Sequence, residues 1–253
     1  GAKAGSMQNV GIAFMLGDMG VTIIGQSQEY GNFAHSVISN KAKAWLRRFG
    51  QDLTASVVRR QKNQYRLFFG NRSLYITIRG REVAGIMPVE YPIPVSCCIN
   101  TPDDKFFFGS TNGFVYQGDV GRSFDGSPIS SILVFPFNSS KSIRTRKRYR
   151  RLLVEINSEQ PVTLLANFTF AYGDFEVSPL FNEAGQQGFA VADWDVASWD
   201  VDTWDGGTGP VARVDLEGSG ENISVALSHE NRYDMPFDIR SFILEFSPRR
   251  GER

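Results

Sequence analysis

The residues best suited to chemistry in this 253-residue chain form two constellations of opposite charge. The first is basic: the run Lys141–Arg151 holds seven positive residues in eleven. Arg146, Arg148 and Arg150 lead into Leu152, Val154 and Ile156 with a period of two. That spacing predicts one strand with all six residues on one face, its guanidiniums emerging from the core at an open end. Clustered cations neutralise phosphates and release counterions, so Arg144, Arg146, Lys147, Arg148, Arg150 and Arg151 are candidates for nucleic-acid contact. The other reading is a solvated or intersubunit surface that pairs them with carboxylates. Aromatic interleaving is slight, with only Tyr149 inside the run, and this favours the interface.

The second constellation is acidic. Asp193, Asp195, Asp200, Asp202 and Asp205 are interleaved with Trp194, Trp199 and Trp204, and each Trp is followed by Asp. A five-residue repeat fits neither helix nor strand. It predicts an extended loop that anchors each indole on a neighbouring surface and leaves the carboxylate beside it in water. Oxygen-rich loops also bind calcium, but Asp200, Asp202 and Asp205 lack the EF-hand spacing and its terminal Glu. No metal or cofactor is assigned. Nor does the spacing match a WD40 repeat, whose Trp-Asp pairs recur every 40–45 residues or so.

Signatures of catalysis do not occur. The chain has no P-loop, no G-x-S-x-G, no H-E-x-x-H and no strand–G-x-G-x-x-G–helix unit. His35 and His229 stand alone, so each is read as structural. Cys97 and Cys98 are adjacent, and neighbours on a strand point to opposite faces, so a bridge between them would be strained. A reducing compartment is expected, and no enzymatic activity.

The two constellations belong to an uneven charge distribution. Lys and Arg total 27, as do Asp and Glu, so the net charge is zero. Yet residues 1–151 hold 21 cations against 9 anions, and residues 152–253 hold 6 against 18. Halves of +12 and −12 suit complementary surfaces that meet within the chain or between copies. In a homo-oligomer they suit a heterologous ring contact, where one face of a subunit meets a different face of the next.

The elements that must position these residues are short strands. Thr54–Arg60, Tyr65–Phe69, Ser73–Ile78 and Val83–Ile86 are divided by Gly70-Asn71 and Gly80. Val95–Asn100, Lys105–Phe108 and Phe114–Gln117 follow. Such spacing with Asn, Gly and Asp turns predicts an all-β fold of antiparallel sheets, with four-strand units like propeller blades. Leu74, Ile76 and Ile78 alternate with Tyr75, Thr77 and Arg79, which predicts one dry face. Helix is minimal: only Lys41–Phe49 places Ala42, Trp45, Leu46 and Phe49 on one side. After the turn cluster at 122–128 come Ile129–Phe135, Arg148–Ile156, Val162–Phe170, Val211–Leu216, Ile223–Ser228 and Ile239–Phe246, the pattern of a sandwich. The expected division is a propeller-like domain over 1–120 and a β-sandwich-like domain over 121–253. No apolar stretch reaches about 18 residues, so no transmembrane helix is expected.

Four segments carry a resemblance to a known family: Gln64-Tyr-Arg-Leu-Phe-Phe69, Phe108-Gly-Ser-Thr-Asn-Gly-Phe-Val-Tyr-Gln117, Ser123-Phe-Asp-Gly-Ser-Pro-Ile129 and Lys147-Arg-Tyr-Arg150. Through them residues 65–173 resemble the C-terminal half of tail structural proteins of tailed bacteriophages. The nearest types are the tail nozzle (tail tubular B-type) and packaged-DNA stabilisation proteins. The resemblance implies propeller strands followed by a second domain entered at the Phe-Asp-Gly turn. It further implies a virion tail component made in the host cytoplasm, acting by assembly. The chain would form a homo-oligomeric ring, such as a hexamer, among neighbouring tail proteins and around or below the DNA channel. Arg146, Arg148 and Arg150 would then meet a neighbour's acidic loop or face DNA, and the three Trp would be contact anchors. Rival readings are a host-receptor or glycan-binding tail module and a nucleic-acid-binding protein.

Overall fold

A computed structural model describes residues 1–9, 11–24, 37–80, 82–158, 162, 164–172, 182–184, 211–231 and 236–249. The chain is mostly β, and among the described residues the strands pair antiparallel and Lys43–Phe49 forms a short helix. None of the five sheets closes on itself among the described residues. Its contacts divide it into two units, Gly1–Gly121 and Arg122–Arg253.

Among the described residues three sheets build the first unit. β1 (Gln8–Asn9), β2 (Ala13–Gly17) and β3 (Gly20–Ile23) form one, next to a 3-10 turn at Asn40–Ala42 and helix α1 (Lys43–Phe49). β4 (Ala55–Arg59), β5 (Gln64–Phe69), β6 (Arg72–Arg79) and β7 (Glu82–Glu90) form the second, in chain order. β8 (Val95–Asn100), β9 (Phe106–Ser110) and β10 (Val115–Gly118) form the third, also in chain order. Gly70, at φ +65°, makes the left-handed step that turns β5 into β6.

The middle sheet is covered twice. Tyr65, Leu67, Phe69, Leu74, Ile76 and Ile78 join Phe14, Leu16, Val21, Ile23 and Leu46 in one buried core. On the opposite face Phe68 stacks on Phe106 with centroids 5.8 Å apart, and Tyr91 packs against both Phe68 and Phe108. Tyr75 lies on that face and is buried, its hydroxyl hydrogen-bonded to that of Tyr91. The expectation of a single dry face at 74–79 is thus corrected: alternation identifies two faces but not the β8–β10 sheet that covers the second.

Among the described residues the second unit has two sheets. β11 (Ile129–Val134), β16 (Ile223–Asn231), β13 (Leu164–Phe170) and β14 (Asn182–Ala184) form one in that order. β15 (Val211–Gly220), β12 (Lys147–Ser158) and β17 (Phe237–Pro248) form the other. Leu152, Val154 and Ile156 share a core with Leu164, Ala166, Val225 and Leu227. Burial of each of these Leu, Ile and Val side chains stabilises by about 1.5–3 kcal/mol. Packing is tight at Gly218, where an added Cβ would sit 2.4 Å from the Phe170 ring.

No described helix is long and apolar enough to cross a membrane. The charge split does not follow the units. Gly1–Gly121 holds 13 cations and 8 anions, and Arg122–Arg253 holds 14 and 19, so the arginine-rich run lies within the more acidic unit.

Candidate functional site

The basic run enters β12, the central strand of its sheet, flanked by β15 and β17. Its alternation is interrupted. Lys147 and Tyr149 point inward and are buried, as are Leu152, Val154 and Ile156. The inward positions change from odd to even because β12 carries a β-bulge between Tyr149 and Arg151. Arg146 and Arg148 therefore lie on the exposed face, opposite Lys147 and Tyr149, and Arg150 and Arg151 are exposed too. The predicted common face with Leu152, Val154 and Ile156 is corrected here. One extra residue in a ladder moves every later side chain to the other side.

The six basic candidates separate into three kinds. Lys147 is 2% exposed. Its Nζ donates to the carbonyls of Ser142 at 2.5 Å, Thr145 at 3.1 Å and Glu221 at 3.0 Å. It closes the loop before β12 and offers nothing to a phosphate. Arg151 is exposed but engaged, its Nε 3.4 Å from Asp215 and its Nη1 3.8 Å from Glu245. Arg144, Arg146, Arg148 and Arg150 are exposed, and among the described residues none of the four forms an ion pair. These four can neutralise external phosphates or carboxylates. The Arg146 carbonyl accepts the Arg249 N–H at 2.8 Å, which ties the start of the strand to the chain's end.

Asp193, Trp194, Asp195, Trp199, Asp200, Asp202, Trp204 and Asp205 lie outside the described residues. So does His35. His229 packs edge-on against Phe237, with centroids 5.0 Å apart. Cys97 and Cys98 are both free thiols, and burial together with Cys97 pushes the Cys98 thiol up to about 12. No group of three or more potential metal ligands occurs among the described residues. A groove of about 550 Å³ beside α1 is lined by Ile38, Lys41, Trp45, Leu74, Val83 and Ile86.

The most organised charge cluster lies elsewhere, and sequence reading missed it. Arg66 on β5 is 1% exposed. Its Nη1 and Nη2 donate to Oδ1 and Oδ2 of Asp119 at 3.1 and 2.9 Å, while Nε and Nη2 donate to Gln64 Oε1. Its guanidinium lies 4.2 Å from the Tyr75 ring centroid. Arg59 on β4 reaches the same carboxylate, with Nε 3.1 Å from Asp119 Oδ2 but misaligned for a hydrogen bond. Its Nη1 donates to Asn100 Oδ1 at 3.0 Å and to the Asp104 carbonyl. Burial pushes the Asp119 carboxyl up, but Arg66, Lys62 and Arg59 outweigh it and hold the group below the usual carboxylate range. Asp104 is lowered as well: desolvation opposes it, and Asn100 with the Gln61 and Arg60 N–H groups prevails. The cluster pins the β4–β7 sheet to the β8–β10 sheet. A usable signal existed, since Arg66 interrupts the apolar run 65–69 and a cation there needs a buried partner.

No family model matches the sequence, and no curated protein matches it.

Proposed function

We infer that this protein is a structural component of a bacteriophage tail, a nozzle, hub or DNA-channel ring that acts by oligomeric assembly. The resemblance of residues 65–173 suggests the family. The observation that carries the reading is an uncovered apolar sheet face in the first unit. Ile99 is 63% and Val115 74% exposed on the side of β8–β10 away from Phe106 and Phe108. Exposed apolar groups clustered on a regular sheet mark an interaction surface more often than a solvated one. In this reading β4–β7 and β8–β10 are successive propeller-like blades, and the uncovered face awaits a further sheet from a neighbour. The sheets of the second unit then stack as a sandwich. Electron microscopy of the purified chain, alone and mixed with tails, tests the proposal. A ring of countable symmetry with a central hole is expected; a strict monomer at high concentration with no partner among tail proteins overturns it.

One observation favours a second reading, nucleic-acid binding. Arg144, Arg146, Arg148 and Arg150 are exposed cations without described ion pairs. In a ring they would line the channel or meet a neighbour's carboxylates. Retention of the chain on DNA that falls steeply with salt, and is lost on replacing Arg146, Arg148 and Arg150 by Ala, supports the phosphate role. Unchanged retention removes it.

A further inference from the structure

Among the described residues β11 is an edge of its sheet, bonded to β16 on one side only. All six of its residues are exposed, Ile132 at 71% and Val134 at 56% on the outward face. Leu133 and Ile129 are exposed on the other face. The strand carries no charge to deter pairing, although native edges are usually blunted by Lys, Pro or bulges.

Its main chain shows what such an edge accepts. The Phe135 N–H donates to the Val225 carbonyl at 2.8 Å, so odd-numbered residues turn their backbone groups toward β16. Ser130, Ile132 and Val134 turn theirs to the open side. Pro128 and Pro136 share that parity and have no N–H to offer. The open edge is thus a short segment, bounded by two prolines, with Ile132 at its midpoint.

We propose that two copies of this chain pair β11 with β11, antiparallel, about a two-fold axis at Ile132. In that register Ile132 faces its own counterpart, Ser130 faces Val134, and Pro128 faces Pro136. Every free N–H and C=O of the three residues finds a partner, making about six main-chain hydrogen bonds. A shift by one or two residues sets a proline against a carbonyl that needs a donor, or turns apolar side chains to the wrong face. The proline spacing and the strand's neutrality make the edge complementary to itself, and a second copy is the occupant for that reason. A contact of this length falls below about 1,200 Å², so the dimer is expected to dissociate in the micromolar range. The inference is independent of the tail reading, because a two-fold contact joins copies whatever larger structure they enter.

The test uses the full chain with Cys97→Ser and Cys98→Ser to remove the native thiols. Ile132→Cys in that background should oxidise to a covalent dimer, because directly opposed bonded residues lie about 5.5 Å apart at Cα, within disulfide reach. Val134→Cys alone should form no intermolecular disulfide, and mixed with Ser130→Cys it should cross-link. Separately, Ile132→Lys sets two ammonium groups face to face, and sedimentation should show the dissociation constant raised about tenfold or more. Ile132 is exposed, so circular dichroism should be unchanged. Failure of Ile132→Cys to cross-link, equal self-cross-linking of Val134→Cys, or an Ile132→Lys dimer of undiminished affinity each overturns the proposal.

Discussion

Arg66 is buried and held at two nitrogens by Asp119, whereas Arg148 is exposed and forms no ion pair among the described residues. Both lie on β-strands beside an aromatic residue, Tyr65 and Tyr149, and side-chain chemistry does not separate them. What separates them is whether a second sheet covers their face. Arg66 shares its side of β5 with Phe68, and the β8–β10 sheet brings Asp119 to it. Arg148 points away from the core that Tyr149 enters. A buried cation is a joint between sheets; an exposed one is available to something outside.

The largest expected effect comes from unmaking the joint. Asp119→Ala leaves Arg66 buried without its counter-charge and should cost about 3–5 kcal/mol in urea unfolding. A loss under about 1 kcal/mol would put the buried set in the same class as the exposed one. Lys147→Ala sharpens the contrast within one strand. Three carbonyls lose their donor, and a loss of about 2–3 kcal/mol is expected, seen as a lower thermal midpoint.

Acid should discriminate next. Asp119 and Asp104 have lowered pKa values in the folded protein. A depressed carboxyl stabilises fully above its ordinary pKa of about 4, and the contribution disappears as pH falls through the folded value. Urea midpoints measured from pH 6 to 2 should therefore fall on acidification, and fall less steeply in Asp119→Asn. A parallel decline in both would remove Asp119 from the cause. The smallest effect belongs to Arg146, Arg148 and Arg150. Replacing each with Ala should shift unfolding by within about 0.5 kcal/mol. A larger change would reveal an intramolecular partner for the row.

Much of the fold was legible in the strand pattern. Tyr65–Phe69 appears as β5 (Gln64–Phe69), Val95–Asn100 as β8, and Lys41–Phe49 as a 3-10 turn leading into α1. The face assignments fared worse wherever a bulge intervened. Reading Arg146, Arg148 and Arg150 onto the face of Leu152 requires unbroken alternation, and the bulge after Tyr149 ends it. Lys147 was grouped with the arginines because its charge is the same, yet it is buried. Arg66 and Asp119, 53 residues apart, have no local relation that a spacing rule could detect.

The sequence by itself determined that this protein is β-rich, where most of its described strands lie, and that its basic run would lead into one of them. Period-two patterns and turn residues act over a few neighbours, so they survive in one dimension. Only the tertiary structure decided which cations are spent inside and which remain outside. That outcome depends on which sheet covers which face and where a ladder gains a residue, both set by strands distant in the chain. The same holds for β11: its apolar residues are plain in the sequence, but the open edge beside them exists only in the sheet.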